Sequence, residues 1–305
     1  MESFECLDNL KIERPLAVAL GYFDGVHLAH KSVIEKAVSF KEKGLTPAVF
    51  SFTMDDNCPL KKKGAHLLES LEDKKKRIGD LGCEIFFCPP FSSFMSLSPE
   101  EYAKKLLIDT FNAKAVVCGY DYRFGKGAEG DASLLKEILE PVGVEVVTLP
   151  AFLNEGEPVS STRIRDLLLE GNMEKANELL GYKFSIDYEV VHGRHLGNTL
   201  GFPTINQLFP EKRIAPKFGV YKTLVTTDEG HFLGVTNVGR KPTVGETDYI
   251  SAETYIDGFK GDLYGKKVRI EFETFLRPEM KFPSIEELKK AIANDTETAR
   301  RLYKK

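Results

Sequence analysis

The 305-residue chain is long enough for two domains of ordinary size, and its 42% hydrophobic and 29% charged residues describe a globular protein able to bury real cores. A formal net charge of −4 gives no bulk attraction to nucleic acid or to an anionic membrane, so any phosphate binding must be local. No apolar run approaches the roughly 18–20 residues of a membrane span, and the acidic start Met1-Glu2-Ser3-Phe4-Glu5 lacks the basic and apolar regions of a secretion signal.

From residue 15 to about 150, short apolar runs alternate with amphipathic stretches. Strands are predicted at Pro15–Leu20, Pro47–Phe52, Glu84–Cys88, Ala115–Cys118 and Val144–Val147, and helices at His30–Lys43, Leu67–Leu81, Pro99–Phe111 and Ala132–Pro141. Such alternation predicts an α/β domain, a parallel sheet with helices on both faces. The run Lys74-Lys75-Lys76-Arg77 reads as a solvated helix face. Two helices follow, Ser161–Leu169 and Met173–Leu180, separated by Gly171-Asn172. Beyond Gly181 the pattern turns to alternating β segments without intervening helices: Ile186–Val191, Val220–Thr226, Phe232–Val238, Ala252–Ile256 and Lys267–Phe275. These predict a small antiparallel β-barrel, closed by a C-terminal helix that opens with the capping box Ser284-x-x-Glu287. The change of character puts the domain boundary near residue 183, giving domains 1–182 and 183–305.

Cys6, Cys58, Cys83, Cys88 and Cys118 form an odd set without CxxC spacing and with no histidine near Cys83 and Cys88 to complete a zinc site. Free, buried thiols in a reducing, cytoplasmic compartment are the expectation. The sequence carries no signal for oligomeric state.

Two regions bear chemistry. After the first strand of the α/β domain comes Gly21-Tyr22-Phe23-Asp24-Gly25-Val26-His27-Leu28-Ala29-His30. Open α/β sheets bind ligands beyond the carboxyl ends of their strands. Two histidines three apart at a helix start can offer ring N–H groups to the phosphates of a nucleotide, in line with the helix dipole; a pair of satisfied loop histidines is the plain alternative. Gly119-Tyr120-Asp121-Tyr122-Arg123-Phe124-Gly125 follows another strand. Ser160-Ser161-Thr162-Arg163-Ile164-Arg165 starts a helix with hydroxyls and with arginines that run against the dipole, which points to an external polyphosphate; a capped helix with surface arginines is the alternative. There is no Walker A sequence, so this is not a P-loop enzyme.

In the second region, Gly193-Arg194-His195-Leu196-Gly197 precedes Gly201-Phe202-Pro203-Thr204-Ile205-Asn206. In an extended segment Thr204 and Asn206 project the same way. A hydroxyl and an amide oxygen side by side suit Mg²⁺, which takes hard ligands and completes its shell with water and phosphate. The glycines let the backbone approach phosphate closely, although a Gly-rich turn beside a proline is commonly just a turn.

In order and spacing these motifs resemble those of the bacterial bifunctional riboflavin kinase/FMN adenylyltransferases, also called FAD synthetases, over almost the whole chain. Gly219-Val220-Tyr221, Asn237 to Thr243, Glu253 to Asp257, Asp262 to Lys266 and Leu276 to Phe282 add to the likeness. The resemblance implies a nucleotidyltransferase domain of Rossmann-like build that joins FMN and ATP into FAD and pyrophosphate, followed by a kinase β-barrel with a C-terminal helix that converts riboflavin and ATP to FMN and ADP, both with Mg²⁺. It implies Glu253 as general base and Thr204 and Asn206 as metal and phosphate ligands, with Gly193, Gly197 and Gly201 over the ATP phosphates of the kinase. It implies His27 and His30, with Gly21, Phe23, Asp24, Gly25, Ser161, Thr162 and Arg165, around the ATP of the adenylyltransferase. Asp121, Arg123 and Arg277 fall where the family contacts flavin. Two departures stand out: the family's His-x-Gly-His reads His27-Leu28-Ala29-His30 here, and its Phe-x-Pro-His-Pro-like turn is replaced by Phe52-Thr53-Met54-Asp55-Asp56-Asn57-Cys58-Pro59. Both lie in the adenylyltransferase half. The alternatives are therefore a riboflavin kinase with a weak or inactive adenylyltransferase domain, or a flavin-binding regulator.

Overall fold

The computed structural model describes residues 1–54, 66–193, 201–241 and 249–303. It divides into two compact units, Met1–Ser161 and Thr162–Lys305.

The first unit is built on a parallel sheet of six strands in the order β1-β4-β3-β2-β5-β8. These are β1 (Glu2–Phe4), β2 (Leu16–Leu20), β3 (Thr46–Phe50), β4 (Ile85–Phe87), β5 (Ala113–Gly119) and β8 (Glu145–Leu149). Every residue of β2 is buried, as befits a central strand covered on both faces. One face packs Leu16, Val18, Leu20, Phe50, Phe87 and Phe111, and the other Ala17, Ala19, Val49, Ile34 and Phe40. The helices are α1 (Leu28–Ser39), α2 (Leu71–Asp80), α3 (Pro99–Glu101, continuing as a π-helix over Tyr102–Thr110) and α4 (Ala132–Leu139). Strand β1 was not expected: three residues are too few to show a period, and Phe4 is held by stacking on Phe87 at 5.5 Å. A short hairpin, β6 (Arg123–Phe124) and β7 (Gly130–Asp131), follows β5, and another, β9 (Leu153–Asn154) and β10 (Glu157–Pro158), follows β8.

The order of these strands places the site. From β2 the chain moves outward to β3 and β4, then returns to lay β5 on the other side of β2. The crevice outside the carboxyl ends of β2 and β5 is thus the topological switch point, where doubly wound sheets take ligands. Gly21–His30 leaves one of these strands and Asp121–Gly125 the other.

The second unit holds α5 (Ser161–Glu170, whose first residue closes the first unit), α6 (Met173–Leu180), six antiparallel strands and the final helix α7 (Ile285–Tyr303). The strands run β11 (Ser185–Glu189), β12 (Thr204–Leu208), β13 (Gly219–Thr227), β14 (Gly230–Lys241), β15 (Tyr249–Ile256) and β16 (Lys267–Pro278), ordered β11-β16-β13-β14-β15-β12. A single bridge just past β11, Val191 to Asn206, brings the two edges together, with the Val191 N–H donating to the Asn206 carbonyl at 2.8 Å. The barrel interior is partly polar: Thr223, Thr236 and Thr254 are linked hydroxyl to hydroxyl at 2.9 Å each, and the Gln207 amide nitrogen donates to the carbonyls of Tyr188 and Val268. Ser284 caps α7, accepting from the Glu287 N–H at 3.2 Å.

The compact units divide after Ser161, earlier than the boundary expected near residue 183. The reason lies in α5 and α6, which are tied to the barrel. The Asn177 amide donates to the Phe272 carbonyl at 2.8 Å and accepts from the Phe184 N–H at 2.7 Å, and the Lys217 N–H donates to the Leu168 carbonyl.

Candidate active sites

In the first unit, β2 runs into a loop whose backbone is held in an unusual form. Phe23 and Val26 have φ of 52° and 30°, and Gly25 has φ of 85°. Left-handed residues in one short loop cost energy and mark a conformation fixed by its surroundings. The Phe23 ring is committed to the core, 2% exposed and edge-on to His30 at 5.3 Å. A Cβ at Gly21 would stand 2.8 Å from that ring, so glycine is required there. The Asp24 side chain is buried as well, accepting from the Leu68 N–H at 3.0 Å, while its carbonyl accepts from the Ser161 hydroxyl at 2.9 Å. Phe23 and Asp24 therefore shape the loop from below.

His27 is the N-cap of α1, its Nδ1 accepting from the His30 N–H at 3.4 Å. The two imidazoles stack with centroids 3.6 Å apart. The first turn of α1 carries no acidic residue, so its positive end is not offset from within the helix. Ala29 lies inside this turn, not at a left-handed position. The departure from the family's glycine thus brings no backbone strain. The other departure falls mostly within residues 55–65, outside the described residues.

Behind the loop sits a charge cluster that the sequence had not disclosed. Lys74, read as part of a solvated face, is only 6% exposed: its ammonium donates to the Tyr22 carbonyl at 2.8 Å and lies 4.6 Å from the Tyr22 ring centroid. Glu69, also buried, accepts from the Gly25 N–H at 3.0 Å and from Arg77 Nε at 3.1 Å. Burial pushes the Glu69 carboxyl up to about 7 against the pull of Arg77 and Lys74, and burial lowers the Lys74 ammonium. Only Lys76 of the basic run is exposed.

Across the switch point, Asp121 and Arg123 are exposed, with Arg123 facing Asp131 at 3.7 Å. Tyr122 turns inward, its hydroxyl 2.7 Å from that of Tyr102. Thr162 and Arg165 stand at the beginning of α5, next to Ser161.

In the second unit the candidate residues form a row across the barrel wall. Arg277 lies opposite Val220, Val220 opposite Asn237, Asn237 opposite Glu253, Glu253 opposite Asn206, and Asn206 opposite Val191. Directly opposed residues share a face, so Arg277, Asn237, Glu253 and Asn206 project from one side of the sheet. Thr204, two residues from Asn206, joins them. Asn206 is buried, whereas Thr204, Asn237 and Glu253 are half-buried. A Cβ at Gly193 would stand 2.7 Å from Asn206 Cγ, so this glycine lets the chain close over the asparagine. Gly201 has φ of 81°, a turn conformation that favours glycine. Gly197 lies outside the described residues.

Helix α7 covers the same face, with Ala299 packed among Val220, Leu233 and Val235. Two paired guanidiniums fasten it: Arg277 donates to the Asp295 carboxylate at 2.8–3.1 Å, and Arg300 to the Asp257 carboxylate at 2.7–2.8 Å. Arg277 is thus a strut between β16 and α7 before it is anything else. Asn237 is the member of the row to which sequence reasoning gave no role; only strand register brings it beside Glu253.

Two family models match the chain, FAD synthetase over residues 9–163 and riboflavin kinase over residues 180–303. A bifunctional riboflavin kinase/FMN adenylyltransferase from Listeria monocytogenes is 34% identical, the match covering 94% of this chain and 92% of that one. One from Bacillus subtilis is 36% identical over the same shares.

The chain belongs to the bifunctional riboflavin kinase/FMN adenylyltransferase family.

The FAD synthetase model ends at residue 163, beside the division between the compact units, and the riboflavin kinase model begins at residue 180, close to the boundary expected near residue 183. A solved structure described as a macrolide-efflux protein from Streptococcus pneumoniae has the same fold, at a TM-score of 0.86 and 28% identity over 98% of both chains. Among the described residues of this family member, no helix is long and apolar enough to cross a membrane. The described cysteines are free; Cys83, Cys88 and Cys118 are buried and Cys6 is exposed.

Proposed function

We propose that the barrel unit phosphorylates riboflavin with ATP, releasing FMN and ADP, and that the α/β unit joins FMN and ATP into FAD and pyrophosphate. The observation that carries the assignment is the row Asn237–Glu253–Asn206 with Thr204 beside it, a carboxylate set among neutral oxygen donors on one face of a barrel.

In the kinase step the ribityl 5′-hydroxyl oxygen attacks the γ-phosphorus, the bond from that phosphorus to the β,γ-bridging oxygen breaks, and ADP leaves. Glu253 accepts the hydroxyl proton, and Asn237, directly opposite it, keeps that carboxylate in register. Phosphoryl transfer depends chiefly on positioning and charge neutralisation, which is the part given to Thr204, Asn206 and the glycine turns at Gly193 and Gly201. Among the described residues no three His, Cys, Asp or Glu side chains converge to hold a metal by themselves. The hydroxyl and amide oxygens of Thr204 and Asn206 fit a Mg²⁺ that shares its shell with phosphate and water. When bound, that ion would offset charge developing on the transferred group.

In the adenylyl step a phosphate oxygen of FMN attacks the α-phosphorus of ATP and pyrophosphate departs, so no protein nucleophile is needed. His27, His30 and the backbone of Gly21–Gly25 hold the ATP phosphates at the start of α1, Ser161 lies against that loop, and Asp121 and Arg123 border the flavin. Free, buried thiols at Cys83, Cys88 and Cys118 suit work in the reducing cytoplasm.

Incubation with riboflavin and Mg-ATP, followed by chromatographic separation of flavins over time, tests this. FMN rising and giving way to FAD is the expected course. FMN that accumulates without FAD would leave the kinase alone, and no FMN at all would overturn the assignment.

A further inference from the structure

Lys74 and Glu69 are buried charged side chains behind the first unit's loop, and each makes a hydrogen bond to its backbone. Tyr22 offers one carbonyl, and two donors meet it: the Lys74 ammonium at 2.8 Å and the Ser51 hydroxyl at 2.8 Å. Gly25 offers one N–H, and the Glu69 carboxylate takes it at 3.0 Å. Between these two anchored residues lie Phe23 and Asp24, and just beyond them Val26, so the left-handed residues at 23, 25 and 26 are braced from both ends. Glu69 is itself held by Arg77 from α2, and the Leu68 N–H beside it is bound by Asp24. Burying an ammonium and a carboxylate is costly and contributes little net stability. Two buried charges bound to the backbone of a strained loop are better explained by the shape they impose.

We propose that Lys74 and Glu69 are positioning residues of the adenylyl-transfer site, fixing the Tyr22–Val26 backbone so that it and the two histidines meet the phosphates of ATP. They need not touch the nucleotide; they act through the carbonyl of Tyr22 and the N–H of Gly25. The inference rests on assigning ATP to the Gly21–His30 loop, and it adds to that assignment the buried residues that hold the loop's backbone in place.

Lys74→Met keeps the length of the side chain but removes the donor to Tyr22. It should raise KM for ATP in FAD formation from supplied FMN by about tenfold, the effect of losing one charged hydrogen bond, with riboflavin phosphorylation by the same preparation unchanged. Glu69→Gln keeps an oxygen for the Gly25 N–H and should stay within about threefold of wild type, whereas Glu69→Leu should lose about tenfold. Ser51→Ala, which spares the charges, should shift KM in the same direction by less. A purely structural role predicts instead a lower melting temperature with KM unchanged, and Gln no better than Leu; that pattern overturns the proposal. Equilibrium dialysis with ATP separates the two assignments. Wild type that makes no FAD yet shows two classes of ATP site, one weakened by Lys74→Met, would retire the adenylyl assignment and keep the positioning role. FAD formation by Lys74→Met with wild-type KM would do the reverse.

Discussion

The two sites are assembled in opposite ways. In the α/β unit one contiguous stretch, Gly21–His30, carries most of the groups, and distant residues such as Glu69 and Lys74 serve its backbone. In the barrel unit no stretch suffices: Asn206, Glu253, Asn237 and Arg277 come from four strands and are neighbours only through register. A loop site is vulnerable through its scaffold, because the backbone form is what binds. A strand-row site is vulnerable through the individual side chain, because its framework is a hydrogen-bonded barrel.

The largest effect that would break this contrast is at Glu253. Glu253→Gln should lower FMN formation by about 10²- to 10⁴-fold, the usual contribution of a general base, while riboflavin still binds and FAD formation from supplied FMN is untouched. Rates measured separately for the two steps decide it. His30→Ala is the counterpart, expected to cost FAD formation about 10²-fold and to leave the kinase rate alone. Next comes Gly193→Ala. Its added Cβ would press on the Asn206 amide, so kcat/KM for riboflavin phosphorylation should fall about tenfold, a loss worth about 1.4 kcal/mol.

A smaller effect concerns pH. The Glu69 carboxyl faces Arg77, Lys74, Asp24 and Asp73, and burial raises it from 4.5 to about 7. A raised carboxyl binds its proton more tightly in the folded state, so its contribution is present below pH 4.5 and lost as pH rises through about 7. The thermal midpoint of the α/β unit should therefore decline across that window in wild type more than in Glu69→Gln. Parallel slopes in the two proteins would contradict it. Smallest of all is Ala29→Gly. With Ala29 inside α1, restoring the family's glycine relieves nothing and should change FAD yield by no more than about twofold, a helix-propensity effect. A large gain would contradict the placement of Ala29 within the first turn of α1.

Much of this was legible in the sequence. Alternating apolar runs disclosed the parallel sheet, the change after Gly181 disclosed the barrel, and the motifs disclosed the family. What escaped has physical causes. Lys74 looks like any lysine in a basic run, since a side chain's burial depends on what packs over it and not on its neighbours in sequence. Asn237 could be paired with Glu253 only once β14 and β15 had a register. Arg277 was placed near flavin by resemblance, yet Asp295, eighteen positions on, holds its guanidinium. The helix pair α5 and α6 looks continuous with the α/β half, but the hydrogen bonds of Asn177 and Lys217 tie it to the barrel.

The central claim is that one chain holds two separable sites, and the most direct test pairs Glu253→Gln with His30→Ala in two assays, riboflavin to FMN and supplied FMN to FAD. Glu253→Gln should lose the first conversion and keep the second, and His30→Ala should do the reverse. If either variant lost both conversions by the same factor while remaining folded, the two-site account would be contradicted.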